Sequence, residues 1–196
     1  NARGLLAAGG RLQMLMVTGQ PQLDTTGGGI PKLTPMPATW VDIDDPDPST
    51  VTPTTSCFAQ GLLKGGARFA RLEGCWWGDD SVFFNATSGG AAGAGQVWQY
   101  RPKDANSGDL ILVFESPSPE VLDSPDNICV SPRGGLVICE DGGNEQYIRG
   151  LTRQGEIFDF VRSASDDATE FCGACFSPDG RFLFFNTQGS TSSTGT

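Results

Sequence analysis

The chain has 196 residues and is acidic, with 23 Asp and Glu against 13 Lys and Arg, which gives a formal net charge of −10. This balance argues against nucleic-acid binding, because contacts to phosphates require a basic face. The sequence contains no His, which excludes Ser-His-Asp and Cys-His catalytic pairs and His-based zinc sites. Any chemistry therefore depends on carboxylates, amides, Arg, Lys, Cys or a bound metal.

The first part of the chain, residues 1–60, is irregular. Two apolar runs, Arg11 to Val17 and Thr39 to Ile43, predict outer strands of a sheet unit that precedes the main body. The stretches between them are rich in Pro, Gly and Thr and predict loops.

From Gly61 onward the sequence predicts an all-β protein. Short runs rich in aromatic and β-branched residues alternate with Gly, Pro, Asn and Asp, and none shows a sustained helical period. The predicted strands are SVFFNAT, GQVWQYRP, LILVFES, NICVSP, GLVICED, QYIRGLT, EIFDFVRS, CGACFSP and RFLFFNT.

The strands repeat in a way that is typical of a β-propeller. VSPRGGLVICEDGG aligns with FSPDGRFLFFNTQG, and WWGDDSVFFNATSGG fits the same frame with Asn85 opposite Glu140. Repeats of roughly 40–55 residues with four short strands indicate propeller blades. Within 61–189 we predict blades at about 69–116 and 126–163 and a partial one at 170–189, and 190–196 is a low-complexity tail.

Counting residues 1–60 as part of a preceding blade, the chain holds about three to four blades. A closed propeller needs about four to eight. The sequence therefore predicts a piece of a longer chain, whose open strand edges favour self-association of the piece.

Oxygen-bearing side chains recur at one end of the predicted blades. The start of each first strand and the end of each second strand lie on the same rim of a propeller channel. Such donors repel each other unless something positive binds there, so the pattern predicts a site for a polyvalent hard cation such as Ca²⁺. The positions are Glu73, Asp126 with Asn127, and Glu170 at the starts, and Asn85, Glu140 and Asn186 at the ends.

The competing interpretation is that these residues only shape turns. Asp and Asn often hydrogen-bond their own backbone in turns. For Asp141 and Asp179, which lie near Gly in tight turns, the turn interpretation is favoured. Glu is a poor turn residue, so ligation is favoured for Glu73, Glu140 and Glu170, and Glu140→Gln is expected to abolish metal retention.

The six Cys predict core packing more than metal or redox chemistry. Most of them lie inside apolar runs, where Cys behaves as a small hydrophobe. Cys172 and Cys175 have the spacing of a redox or zinc pair, but no second pair with that spacing exists.

Several long motifs together resemble the PhoX-type alkaline phosphatases of bacteria, the twin-arginine-exported β-propeller phosphatases. They are RLEGCWW, GQVWQYRP, DSPDNICVSPRGGLVICEDG, RGLTRQGEIFDF and EFCGACFSPDGRFLFFNTQG, which fall between about Trp40 and Gly189.

The resemblance implies a six-bladed propeller that holds a mixed Ca²⁺ and Fe³⁺ cluster and hydrolyses phosphate monoesters in the periplasm or outside the cell. By motif, Glu73, Glu140 and Glu170 would be metal ligands, and Asp126 and Asn127 would lie in or next to the ligand set. Arg149 would be a cation that faces phosphate, although it is equally readable as a strand-edge Arg. The iron-binding Cys of the family is assigned to none of the six Cys here. The chain alone is expected to hold an incomplete active site, and the full-length protein is expected to be a monomer.

Two other functions remain open from the residues. A calcium-dependent propeller lactonase would use a single Ca²⁺ held by residues such as Glu73, Asn127 and Asn186. A non-enzymatic propeller would bind a protein or peptide at its rim and would need no metal. No run in the sequence is apolar for long enough to span a membrane, and no signal-peptide pattern is present.

Overall fold

The computed structural model describes residues 9–143, 145–164 and 169–188, and the predicted tail at 190–196 lies outside them. Within these residues the chain forms strands and one short helix. The elements are β1 (Gln13–Val17), β2 (Met36–Asp42), α1 (Cys57–Leu63), β3 (Leu72–Gly78), β4 (Ser81–Ala86), β5 (Gln96–Pro102), β6 (Ser107–Glu115), β7 (Pro125–Val130), β8 (Leu136–Glu140), β9 (Tyr147–Leu151), β10 (Ile157–Arg162), β11 (Phe171–Phe176) and β12 (Leu183–Thr187).

The strands form three antiparallel sheets. The first has the order β1-β2-β6-β5-β4-β3, the second has the order β10-β9-β8-β7, and the third consists of β11 and β12. Each of the nine strand runs predicted from the sequence is a strand in the structure. The all-β prediction is therefore confirmed, while the boundaries of the individual blades remain a prediction.

The first two strands do not form a separate preceding unit. β2 pairs with β6 from Met36 opposite Leu110 to Thr39 opposite Ser107, and β1 pairs with β2. Both strands thus extend the first sheet beyond β6. The sequence could not show this pairing, because β2 and β6 are separated by more than sixty residues and the alternation in β2 fits any outer edge equally well.

Two apolar layers join the three sheets. One lies between the first and second sheets and includes Phe83, Val113, Ile128 and Ile138. The next lies between the second and third sheets, where Cys129 and Cys139 pack against Phe171. Successive residues of a strand face opposite sides, so Ile128 and Cys129 of β7 belong to different layers. This packing places β7 between β3 and β11.

A third apolar layer covers the other face of the first sheet. It contains Trp98, Tyr100 and Leu110 together with Leu15 and Met36 of the two added strands. Trp40 donates its indole N–H to the Tyr100 hydroxyl over 2.9 Å, and the two rings meet edge to face. β1 and β2 therefore close the core of the first sheet.

Helix α1 was not predicted. The Ser56 hydroxyl caps its start by accepting the Ala59 N–H over 3.2 Å. With seven residues the helix is too short to show the apolar period that identifies helices in a sequence. No helix within the described residues is both long and apolar enough to cross a bilayer.

The Cys prediction is confirmed for the two residues of the inner layer. Cys129 and Cys139 are buried, and burial raises the pKa of each thiol to about 12. Cys75 lies exposed on the edge strand β3, so the core prediction is wrong for that residue.

Candidate metal site

The first strands of the three predicted blades are β3, β7 and β11, which we call the inner strands. Each of them is interrupted by a β-bulge near its start. The register with the partner strand shifts between Leu72 and Cys75 in β3, between Pro125 and Ile128 in β7, and between Cys172 and Cys175 in β11. A bulge leaves residues unpaired and redirects their side chains, and bulges often lie next to functional sites. The bulged residues are Glu73 and Gly74, Asp126 and Asn127, and Gly173 and Ala174.

The bulge positions align the three strands differently from the alignment that the sequence predicted. Glu73 and Asp126 occupy the same bulge position, as the sequence predicted. The third equivalent is Gly173, whereas Glu170 lies just before β11 starts at Phe171. The mismatch arises because equal spacing along the sequence does not locate the extra residues that a bulge inserts.

The ends of the second strands are also shifted for one blade. Glu140 pairs with the residue that precedes the bulge of β7, and Asn186 pairs with the residue that precedes the bulge of β11. In β4 this position belongs to Ala86, which pairs with Leu72. Asn85 therefore lies one residue away from the position that the sequence alignment gave it.

Four carboxylates near this end of β3, β7 and β11 interact electrostatically. Burial, a hydrogen bond with Asp141, and repulsion from Asp141, Asp126 and Glu73 raise the pKa of Glu170 to about 7. The structure thus brings Glu73 and Asp126 within electrostatic reach of Glu170. It also adds Asp141, which the sequence indicated as a turn residue. We call Glu73, Asp126, Asp141 and Glu170 the acidic rim.

Glu140 is not exposed at this rim. Its side chain is 1% exposed, and both carboxylate oxygens accept hydrogen bonds from the protein. Oε1 accepts from the Asp123 N–H at 2.9 Å and from Nε of Arg149 at 2.8 Å, while Oε2 accepts from the Tyr147 N–H at 3.2 Å. Burial raises the pKa of Glu140, although the hydrogen bond from Arg149 opposes that rise. This geometry favours a structural carboxylate over a metal ligand.

Arg149 lies in β9, which is an inner member of the second sheet and not a strand edge. Its side chain is 6% exposed and forms ion pairs with Glu140 and Asp159. The guanidinium also lies over the Tyr147 ring, 3.9 Å from its centroid. With its charge compensated on two sides, Arg149 is held inside the blade, and the structure does not favour contact with phosphate.

Asn127 connects the second and third sheets. Its Nδ2 donates to the Asp126 carboxylate over 2.8 Å, and its Oδ1 accepts the Gly173 N–H over 2.7 Å. Both ends of the amide are thus occupied, which makes Asn127 a residue that orients Asp126.

Asn85 has a different environment. The side chain is fully buried, and Nδ2 donates to the Asp126 carbonyl oxygen over 3.1 Å. Its Oδ1 has no hydrogen-bond partner among the residues that the structure describes. Buried polar atoms are nearly always satisfied, so such an atom calls for an explanation. From the sequence, Asn85 was expected at the rim but not among the metal ligands that the family resemblance implies.

The donor set was tested for its fit to a metal. Carboxylates and an amide oxygen are the ligands that hard cations prefer, and His is absent. Among the described residues, however, no group of three or more His, Cys, Asp or Glu is arranged closely enough to hold an ion. The chemistry of the rim fits a hard cation, but its carboxylates alone do not form a complete coordination shell.

Comparisons with known proteins identify a family and a similar solved structure for the chain as a whole. A family model described as "Alkaline phosphatase PhoX" matches residues 1–190. The solved structure of Pseudomonas fluorescens PhoX in complex with vanadate, a transition state analogue, is similar at a TM-score of 0.64 and 18% sequence identity. The likeness supports the predicted partial propeller fold. A search of curated proteins gave no match.

The match to that structure is unequal in extent. It covers 91% of this chain and 40% of the Pseudomonas fluorescens chain.

Proposed function

Because the chain belongs to the alkaline phosphatase PhoX family, we propose that it forms part of a metal-dependent phosphatase that hydrolyses phosphate monoesters. The observation that carries this proposal is the acidic rim, where burial and the negative charges of Asp141, Asp126 and Glu73 raise the pKa of Glu170 to about 7. The vanadate complex of the Pseudomonas fluorescens protein supports a phosphoryl-transfer reaction, since vanadate there is a transition state analogue.

Glu73, Asp126, Asp141 and Glu170 would hold the cations, and Ca²⁺ and Fe³⁺ are the ions that the family resemblance implies. Such cations neutralise phosphate oxygens and activate an oxygen nucleophile without any His. The described carboxylates do not complete a coordination shell, so we propose that this chain contributes part of the site.

Other residues position this rim. Glu140 holds the backbone at Asp123, a few residues before Asp126, and is itself held by Arg149. Asn127 orients the Asp126 carboxylate and ties it to β11. We propose that these three residues support the rim and do not contact the substrate.

We also propose a substrate class, a cellular location and an oligomeric state for the protein. The substrate class would be small phosphate monoesters, and nucleic acid is disfavoured by the net charge of −10. A periplasmic or extracellular location, and a monomeric full-length protein, follow from the family resemblance.

The test combines bound-metal analysis with substrate assays. We would purify the chain without chelator, measure calcium and iron per molecule, and follow phosphate release from an aryl phosphate with and without vanadate. Glu73→Gln and Asp126→Asn should lower both metal content and phosphate release. Glu145→Gln is the control, because Glu145 is an exposed carboxylate that pairs with Arg162 outside the rim.

Two results would contradict the proposal. One is a wild-type chain whose calcium and iron content, when both ions are supplied, is no higher than that of the Glu73→Gln and Asp126→Asn variants. The other is turnover of lactones with calcium alone, which would indicate the lactonase instead.

A further inference from the structure

A groove of about 730 Å³ lies between the second and third sheets. The turns β7–β8, β9–β10 and β11–β12 border it and contribute Arg133, Arg153 and Arg181. Two of these turns follow the ends of β7 and β11, whereas the acidic rim lies near the starts of those strands. The groove is therefore a different surface from the rim.

The charge of this groove is opposite to that of the chain. The net charge is −10, yet among the described residues no Asp or Glu lines the groove. Arg133 and Arg181 form no ion pair with any described residue, whereas every other described Arg does. Arg153 pairs with Asp79 over 2.9 Å, and both side chains are partly exposed. The two Arg residues that lack a carboxylate partner thus lie in the same groove.

The turns that carry these two residues are ordered by hydrogen bonds and contact each other. The Ser131 hydroxyl accepts the Arg133 N–H over 3.2 Å, and the Ser hydroxyl that begins the β11–β12 turn accepts the Arg181 N–H over 3.2 Å. A Cβ added to Gly180 would lie 2.9 Å from Cγ of Pro132, so the two turns touch. The fold therefore sets the positions of both Arg backbones before any ligand binds, which lowers the cost of binding.

The large apolar side chains of the groove are aromatic. Phe158 and Phe160 are each about half exposed, and Phe176 lies beside them. A Cβ added to Gly150 would clash with the Phe158 ring, so this ring rests directly on the backbone of β9. Covering these rings would remove apolar surface from water, which is favourable. A ligand that fills the groove would therefore combine negative groups with apolar ones.

Two edge strands border the groove. Within the described residues β10 is the outer strand of the second sheet, and β12 pairs only with β11. Phe158 and Phe160 belong to β10, and Arg181 lies just before β12. An edge strand has free backbone N–H and C=O groups, to which an extended peptide can add as a further strand. This arrangement favours a peptide over a small anion.

We propose that the groove binds an extended acidic peptide that carries apolar side chains between its carboxylates. The carboxylates would pair with Arg133 and Arg181, because a guanidinium matches a carboxylate through two parallel hydrogen bonds. The apolar side chains would cover Phe158 and Phe160. This interaction is additional to the phosphatase reaction and does not depend on it.

The probe is a fluorescently labelled hexapeptide in which Glu and Leu alternate, and fluorescence anisotropy measures its binding. Protein concentrations would be those at which sedimentation shows a monomer. Arg133→Gln combined with Arg181→Gln should weaken binding about 10-fold, because each partly exposed ion pair contributes a few-fold. The control combines Arg11→Gln with Arg68→Gln, which removes the same charge from two exposed sites outside the groove and should leave binding unchanged. Circular dichroism would confirm that each variant is folded.

Two further peptides separate the charged contribution from the apolar one. A peptide with Gln in place of Glu, and another with Ser in place of Leu, should each bind more weakly than the Glu–Leu peptide. Binding of the Glu–Leu peptide should also weaken as salt is added.

The inference is overturned if the wild type does not bind the Glu–Leu peptide, or if the Arg133→Gln and Arg181→Gln variant binds it as tightly as the control variant. Self-association that is lost in the Arg133→Gln and Arg181→Gln variant, without any peptide binding by the wild type, would identify a second copy of the chain as the occupant. That result would likewise overturn the inference.

Discussion

Two residues that the sequence assigned to the site form a buried ion pair with each other. Glu140 was expected to bind metal and Arg149 to face phosphate, yet each lies inside the second sheet and holds the other. The sequence correctly indicated that Glu140 is no turn residue. The sequence could not indicate that Arg149 is the partner of Glu140. The two side chains approach each other only because β8, which contains Glu140, pairs with β9, which contains Arg149.

Removing the Arg149 side chain should therefore lower the free energy of unfolding. Arg149→Leu leaves the Glu140 carboxylate buried with only backbone donors, and breaking a buried pair in this way costs about 3–5 kcal/mol. Urea denaturation measures the change. Arg162→Leu is the control, since Arg162 pairs with Glu145 at an exposed site, where a pair contributes about 0–1 kcal/mol. Normal stability in Arg149→Leu together with lost phosphate release would restore a catalytic role for Arg149.

The titration of Glu170 predicts a pH dependence of stability without added metal. Its pKa rises from 4.5 to about 7, so between these values the folded chain binds more protons than the unfolded chain. The contribution of Glu170 to the free energy of unfolding should therefore fall as the pH rises from 4.5 to 7.

Chemical denaturation across that pH range in the presence of a chelator tests this prediction. Glu170→Gln should show a flatter pH dependence than the wild type, and Glu145→Gln should not. Identical pH profiles for Glu170→Gln and the wild type would mean that the carboxylates of the rim do not interact as described.

At the level of elements, strands were predictable and bulges were not. The short runs of aromatic and β-branched residues and the turn signals between them located β4 to β12. Bulges leave no such pattern, because one inserted residue changes the pairing while the composition stays the same. This is why Glu170 was aligned with Asp126 although Gly173 occupies the equivalent position. The placement of β1 and β2 depended on distant pairing and was missed for a related reason.

The close approach of β3 and β7 gives a prediction at the same scale. A Cβ added to Gly74 would clash with the Asp126 carbonyl oxygen and lie 2.8 Å from the Ile128 nitrogen, both backbone atoms that cannot move aside separately. Gly74→Ala should lower the free energy of unfolding by about 1–3 kcal/mol, the usual cost of overpacking. Thermal unfolding followed by circular dichroism measures it.

The matched control for that prediction is Gly27→Ala. Gly27 is exposed, and an added Cβ would meet nothing within 4 Å. Its stability should remain within about 0.5 kcal/mol of the wild type, as is usual for surface changes. If both variants unfold like the wild type, β3 and β7 are not packed as closely as described.

At the scale of the whole molecule, apolar surface remains uncovered. Phe158 and Phe160 of β10 are about half exposed, and they line an open groove of about 730 Å³ with Phe176 of β11. Phe182, just before β12, and Phe184, within β12, are each about 60% exposed. Contiguous apolar patches of this kind mark surfaces that associate.

We therefore expect the chain to self-associate as its concentration rises. Phe160→Ser should reduce that association in sedimentation velocity experiments, because it removes an exposed aromatic ring that lines the groove. Phe58→Ser is the control, since Phe58 is 48% exposed on α1 and does not line the groove. A chain that stays monomeric at all concentrations would contradict the prediction.

The repeated bulge also determines how symmetric the acidic rim is. Three identical bulges would create equivalent positions, and a ligand could then bind in several rotated poses. In this chain two bulges present carboxylates, whereas the third presents Gly173, whose N–H is used by Asn127. The missing carboxylate is replaced from outside the repeat by Glu170, which breaks the rotational symmetry. The carboxylates of the acidic rim are therefore arranged asymmetrically, and a ligand bound there would have one preferred orientation.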